Sequence, residues 1–530
     1  MAQRCVNLYA EKNPEDAPVP FTYYPTPGLV SLGNPGAQGV GRGLYTASNG
    51  TLYSVVGQNL YSVSSSWVHT LVGTLGTVGT NPVSMADNQT AMVLVDGSGA
   101  GYTVQLVSNV FATISDPAFY GADKVDYIDT FFIFNKPGTA IFYISNSNAT
   151  TFNALNFASK VGASDLLQVA AVVHREIWLL GGRSAGTGTS EIWTDAGAAA
   201  FPFQILDGAF VQHGCEARAS VAQMGDALFF LARDKQGSRI VVKGQGYQVQ
   251  KISTAAIDYQ LAKYATCEDA WGQTYQQEGH QFYVLSFPTA DKCWAYDLTT
   301  DQWHERVSVD ANGNEHRPLY AAVASAYGTV VAQDWATGAL YKLDLNTYTD
   351  LGAPIVRRRG FPHLLDDGKR VSYRQFIADL EVGADTNTQW MGQQPIIIGV
   401  DGGSSPMLLG VDGLHGEVLW ADGAGGALAA DGTGVSNTGL APDSVPIFLG
   451  IENGPYFAPP MALCLRYSDT RGASWSDPIS DDFGYGGDFY KSIQFQRLGM
   501  ARDRIFELFW SAPVRTALNG AFIDAKPLGS

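Results

Sequence analysis

Apolar residues in this chain come in short dense runs, separated by clusters of Gly, Asn, Asp and Ser. The clearest case is the stretch from Gln281 to Glu305, QFYVLSFPTADKCWAYDLTTDQWHE. Phe282 to Phe287 is an aromatic and β-branched run. A Pro-Thr-Ala-Asp turn follows, then a second run from Cys293 to Leu298, and Thr-Thr-Asp precedes Trp303. This pattern predicts two or three antiparallel strands of one small sheet. Such a unit hides one apolar face and leaves the other bare, so it needs neighbours of the same kind stacked against it.

The chain supplies candidates for those neighbours. Leu52 to Val55 is followed, across Gly57-Gln58-Asn59, by Leu60 to Val63. His174 to Leu180 leads through a glycine-rich loop to Glu191-Ile192-Trp193. Ala227 to Leu231 precedes Arg239 to Val242, and Val330 to Ala332 precedes Ala339 to Asp344. The units recur every roughly 40 to 55 residues, the blade period of propellers. The expectation is a mainly β chain with a β-propeller of about six or seven blades across residues 40–351. Ala255 to Ala265 is the best helix candidate and reads as a connector between blades.

Different patterns flank this region. In residues 1–39, Pro14, Pro18, Pro20, Pro25 and Pro27 exclude a helix and predict an extended N-terminal arm, with aromatics that must dock on something else. Ser372 to Val382 alternates like a strand entering a second β-rich platform domain, drawn from 352–384 and 461–530. Residues 385–460 read as an acidic Gly/Asp-rich inserted extension. Asp-Gly recurs there at 401, 412, 422 and 431 between short apolar pieces such as Met407-Leu408-Leu409 and Val418-Leu419-Trp420. Near the C-terminus, Ile493 to Gln496 and Ile505 to Trp510 alternate as two strands joined by the turn Leu498 to Asp503, a terminal hairpin.

Composition narrows the chemistry. Only 16% of the 530 residues are charged, Gly numbers 59 and aromatics make up 12%, which suits short strands and tight turns. The net charge of −17 argues against a protein that grips nucleic acid and fits one that lines a passage without sticking. Much of that excess is local. Between Arg374 and Arg466 there is no Lys or Arg, while ten carboxylates occur. Tight-turn chemistry accounts for the aspartates, since neither an Asp-x-Asp-x-Asp-Gly loop nor a Gly-Gly-x-Gly-x-Asp repeat is present.

Five scattered cysteines without a Cys-x-x-Cys read as buried free thiols. No hydrophobic signal core and no apolar run approaching ~18 residues appears, so no membrane-spanning segment is expected. The eight histidines form no His-x-x-x-His pair, and His213-Gly214-Cys215 offers two metal ligands without a third nearby. Neither Gly-x-Ser-x-Gly nor a Walker motif is present. No catalytic residue, cofactor or metal site is indicated. The basic triplet Arg357-Arg358-Arg359 lacks interleaved aromatics and reads as an ion-pair anchor between domains or subunits.

Two ends of the chain carry a resemblance. Asn7-Leu8-Tyr9-Ala10-Glu11 is followed by the turn Thr26-Pro27-Gly28-Leu29. Far downstream, Leu465 to Ser476 (LRYSDTRGASWS) resembles an Asp-box hairpin, with the carboxylate one place early at Asp469. Arg497-Leu498-Gly499, Arg502-Asp503-Arg504-Ile505-Phe506, Pro513-Val514 and Gly520-Ala521 then follow. These segments resemble the beginning and end of the packaged-DNA stabilisation, or tail-nozzle (head-closure), proteins of short-tailed (P22-like) bacteriophages.

The resemblance implies a virion tail protein assembled in the host cytoplasm: a homo-hexameric ring beneath the portal-adaptor ring. Such a ring would meet a tail needle or plug and tail fibre or spike proteins, and DNA would pass through its lumen without sequence-specific binding. Tyr24, Pro25, Pro27 and Gly28 are expected to set the path of the arm. Arg497, Arg502, Asp503 and Arg504 are expected to form a charged assembly cluster on the terminal hairpin. The alternative from a different class is a receptor-binding or glycan-cleaving propeller, whose carboxylate pair would come from different blades.

Overall fold

The expected strands form where the apolar runs lie. In the computed structural model, the 281–305 stretch gives His280–Phe287, Lys292–Asp297 and Gln302–Glu305, and Trp271–Gln277 adds a fourth strand before them. The four pair antiparallel in chain order. The structure describes residues 4–382 and 462–527 apart from 37–38, 78, 183–187, 199–200, 235, 311, 367–368 and 483–490, together with four short strands between 396 and 429.

Six further sheets of this kind are described, spanning 41–74, 84–113, 125–159, 167–211, 214–251 and 320–344, the last with one strand borrowed from the N-terminus. Along the sheets, dense apolar runs such as Ala227–Arg233 become central strands buried on both faces. Polar tight turns separate them, as at Gly57, whose φ of 57° reaches the left-handed region. One run begins later than expected. His174 and Arg175 occupy left-handed turn positions, and the strand is Glu176–Gly181. The predicted helix is present as α1 (Ala255–Lys263), N-capped by Thr254 and lying between the 214–251 and 271–305 sheets.

The first strand of each sheet packs on the first strand of the next, with the 214–251 sheet joining through Gly214–Cys215 and Ala222–Met224. Tyr320–Ala326 of the seventh sheet returns to Gly41–Thr46 of the first. Leu52 and Val63 share an apolar core with Ala326, Val331 and Leu340 across this seam. At its centre Gln333, 1% exposed, accepts the Gly43 N–H and donates to Ser54 Oγ and the Val55 carbonyl. A buried amide placed so that it makes three bonds across one boundary fixes both the fit and the register of the closure.

The N-terminal segment is divided among three sheets. Its strands are β1 (Cys5–Val6), β2 (Leu8–Lys12), β3 (Phe21–Pro25) and β4 (Gly28–Gly33). β4 completes the seventh sheet by pairing with Leu340–Asp344. β1 is inserted between Gln302–Glu305, in parallel, and Arg357–Gly360, antiparallel. The sixth sheet therefore runs on through β1 into Arg357–Gly360, Asp503–Trp510, Ala462–Ser468 and Ile479–Asp482.

β2 and β3 form a hairpin, and β3 extends a second sheet made by Thr516–Pro527, Val371–Val382 and Lys491–Gln496. The two C-terminal sheets enclose one core, with Phe376, Leu380, Ile493 and Phe495 opposite Leu463, Leu465, Phe506 and Leu508.

This arrangement corrects one expectation. The terminal hairpin does not form: Lys491–Gln496 pairs with Val371–Val382, whereas Asp503–Trp510 pairs with Arg357–Gly360 and Ala462–Ser468. Each strand has one apolar face, and placing the two in opposite sheets buries both faces against each other. The connection between them crosses from sheet to sheet, with Met500–Ala501 bonded to Val371–Val382 on the way. Of the Gly/Asp-rich extension, Met407–Val411 and Val418–Ala421 pair antiparallel as the Asp-Gly turns imply. The rest of 385–460, apart from two shorter strands, lies outside the described residues.

Candidate assembly site

Polar side chains from three parts of the chain converge around β1. Asn7, just after β1, is 3% exposed and takes a φ of 51°, a conformation that asparagine tolerates better than most residues. Its Nδ2 donates to the carbonyls of Val307 and Val356 at 2.9 Å each, and its Oδ1 accepts the Val307 N–H at 3.0 Å. One side chain thus satisfies backbone groups of the segment that leaves the sixth sheet and of the segment leading into the C-terminal sandwich.

Charge reinforces the joint. Arg4 donates to Glu305 at 2.9 and 3.0 Å and to Glu315 at 2.8 Å. Arg358 donates to the other Glu315 oxygen, also at 2.8 Å, and lies 3.6 Å from Glu507. Burial alone would push the Glu315 carboxyl up, but Arg4 and Arg358 outweigh it and hold it below the ordinary carboxylate value.

The basic triplet is an intramolecular anchor. Arg357 is fully buried, bonded to the Ala512 carbonyl at 2.9 Å, and burial lowers it to about 10. Arg359 lies over the Tyr23 ring at 4.3 Å. Cys5 in β1 is buried and pushed up to about 11, an inert thiol.

The arm residues singled out in the sequence sit beside this joint. Tyr24 lies 6.0 Å from Tyr9, which in turn meets the rings of His280 and Phe282 edge-on. Pro25, Pro27 and Gly28 are buried. Gly28 passes so close to the next loop that a Cβ there would fall 2.4 Å from the Thr347 carbonyl oxygen and 2.5 Å from that of Thr349. His280 is held above its ordinary value, first by the Asp297 hydrogen bond at 2.7 Å.

The C-terminal charged residues divide into two groups. Arg504 is buried and grips Asp469 through Nε (2.6 Å) and Nη2 (2.7 Å), with its guanidinium 3.9 Å from the Tyr467 ring centre. Asp503 binds His363 at 2.8 Å and Arg471 at 2.7 Å, and the His363 bond is the main reason its carboxyl is held low. Arg497 and Arg502 are exposed. The four therefore do not form one surface cluster.

Asp469 also explains the irregular Asp box. Its carboxylate serves Arg504, and the turn is stapled instead by hydroxyls, Ser468 Oγ accepting the Gly472 N–H and Thr470 Oγ1 accepting the Ser474 N–H, each at 2.8 Å.

The bonding roles of Asn7, Gln333 and Glu315 are not visible in the sequence. Each acts over a separation of about 300 residues, and only the strand run that begins NLYAE marks the neighbourhood of the first. Among the described residues, no group of three His, Cys, Asp or Glu stands close enough to hold a metal. No described helix is long and apolar enough to cross a membrane.

A closed succession of four-stranded sheets, with an N-terminal strand completing the last, defines a β-propeller protein. The chain belongs to the family described as bacteriophage P22 Gp10, beta-propeller, whose model matches residues 3–348. It is thus a member of a phage stabilisation family.

Among solved structures it is similar to the WD40 β-propeller domain of Doa1, at 11% identity over 59% of this chain and 95% of that one, with a TM-score of 0.37. It is also similar to virginiamycin B lyase from Staphylococcus aureus, at 7% identity over 59% and 98% with a TM-score of 0.41. The computationally designed Ika8 protein is similar at 12% identity over 64% and 99%, with a TM-score of 0.35. No curated relative matches the chain.

Proposed function

We propose that this chain is a non-enzymatic structural virion protein of a short-tailed phage. In this reading six copies form the tail nozzle or hub, close the DNA-filled head below the portal-adaptor ring and continue the channel through which DNA is ejected. The observation that carries the reading is membership of the P22 Gp10 family over residues 3–348. The tied joint at β1 supports it, since a part that bears the pressure of packaged DNA needs its domains locked together.

Each of the seven sheets is then one blade of a propeller spanning 40–351, closed by β4. The strands of 352–384 and 461–530, joined by β2 and β3, form the platform that faces the portal adaptor. Tyr24, Pro25, Pro27 and Gly28 seat the arm. Arg497 and Arg502 are the cluster members left for contacts with other chains, while Asp503 and Arg504 hold the platform itself.

A tail needle or plug and fibre or spike proteins belong to the distal side. Six copies carry a formal charge of roughly −100, and part of that excess lines the lumen, where it repels DNA phosphates and lowers friction. Assembly takes place in the host cytoplasm and the protein ends in the virion tail.

Electron microscopy of the protein mixed with portal-adaptor rings tests the reading. Six-fold rings are expected. A chain that stays single, or that releases reducing sugar from host polysaccharide, contradicts it.

A further inference from the structure

Sheet edges invite unwanted pairing, and most outer edges in this propeller are blunted. β1 covers the sixth sheet and β4 the seventh. The outer strand of the fifth, Gln248–Lys251, is short and ends in lysine, and that of the second, Phe111–Thr113, has three residues. The third sheet differs.

In its outer strand, Phe152–Ser159, Phe152 pairs with Ser145 and Phe157 with Tyr143, so the residues between them bulge outward opposite Ile144. A bond from the Leu155 N–H to Asn153 Oδ1 (3.0 Å) shapes the bulge, and Leu155 stands 77% exposed. Phe157 (44%), Val161 (71%) and, from the fourth sheet, Phe210 (41%) are exposed as well. The Phe210 ring lies directly against Gly162, where a Cβ would fall 2.0 Å from it, so the two sheets contribute to one surface.

That surface is nearly free of charge. Between residues 137 and 164 the single charged side chain is Lys160, buried in an ion pair with Asp165. Glu191 is buried beneath it, accepting the N–H groups of Val161 and Gly162. On the fourth outer strand, Phe203–Val211, Asp207 is the one carboxylate. A basic partner would seek carboxylates that this surface lacks. Copies of a chain that each carry −17 repel one another except where carboxylates are sparse.

We propose that the Leu155 bulge, with Phe157, Val161 and Phe210, is the surface by which one copy docks on the next copy of this chain. The proposal rests on the ring reading above. In a cyclic ring the contact is head to tail, so this patch meets a different, likewise uncharged face of its neighbour, with Leu155 as the central anchor.

The test is the double substitution Leu155→Asp with Val161→Asp in the full chain, assembled on portal-adaptor rings and counted by electron microscopy. Both positions are exposed, so circular dichroism and the thermal midpoint should match wild type. Ring yield should fall by about tenfold or more. Tyr259→Asp, 61% exposed on α1 and outside the patch, should assemble like wild type. A double variant that forms rings normally, or a Tyr259→Asp chain equally defective, overturns the proposal. A wild-type chain that never forms rings overturns the ring reading itself, and the patch with it.

Discussion

The Gln333 side chain accepts the Gly43 N–H at 3.0 Å, joining two residues 290 positions apart across the seam where the last sheet meets the first. The same amide donates to Ser54 and Val55, so replacing it leaves buried donors and acceptors without partners. Gln333→Leu should lower unfolding free energy by about 2–4 kcal/mol, because orphaned buried groups cost more than the bonds themselves contribute. Urea denaturation checks this, and an unchanged midpoint would show that the seam is held elsewhere.

Gly28 leads β4 into the seventh sheet, and the neighbouring carbonyls leave no room for a Cβ. Gly28→Ala should therefore destabilise the chain, although at an open site with an ordinary backbone the same change is mildly stabilising. The expected loss is about 2 kcal/mol or more, seen as a lower thermal midpoint. A midpoint equal to or above wild type would mean the strand shifts freely.

The Glu315 clasp predicts a pH dependence. Its folded-state carboxyl titrates below the unfolded value of about 4.3, so the stabilisation it provides is fully present above that value and is lost as the pH falls through the folded one. Denaturation midpoints measured from pH 7 down to pH 3 should drop on the acid side. Glu315→Gln should be less stable at pH 7 and should show a shallower acid limb. Parallel curves for the two proteins would remove Glu315 from the joint.

Arg504 is buried and bound twice to Asp469, and it stacks on Tyr467. Arg504→Ala should cost about 2–3 kcal/mol, and Arg504→Lys should recover only part of that because an ammonium cannot form the parallel pair. Both are readable by chemical denaturation. Arg502→Ala, at an exposed position, should unfold like wild type.

Much of the fold is legible in the sequence because its units are local. Runs such as Leu52 to Val55 and Leu60 to Val63, separated by Gly57 and its neighbours, carry strand, turn and partner within a dozen residues. The 255–265 segment likewise reads as a helix, and α1 forms within it. The arm is legible for a different reason, since its prolines exclude a helix and its aromatics require a surface to cover.

What is not legible lies in long-range pairing. Ile493 to Gln496 and Ile505 to Trp510 alternate equally well as hairpin partners or as opposing faces of a sandwich, and only the strands Val371–Val382 and Ala462–Ser468 decide between them. Asn7 and Gln333 are ordinary polar residues until a partner about 300 positions away gives them a buried role.

β1, with Asn7 behind it, stitches the sixth sheet to the C-terminal sandwich. Hydrogen–deuterium exchange on the full chain, comparing wild type with Asn7→Ala, tests this link most directly. Amides in 302–309 and in 357–360 should lose protection together in the variant, while those in 91–105 of the second sheet stay as in wild type. Unchanged protection in both segments, with Asn7→Ala as stable as wild type, would contradict it.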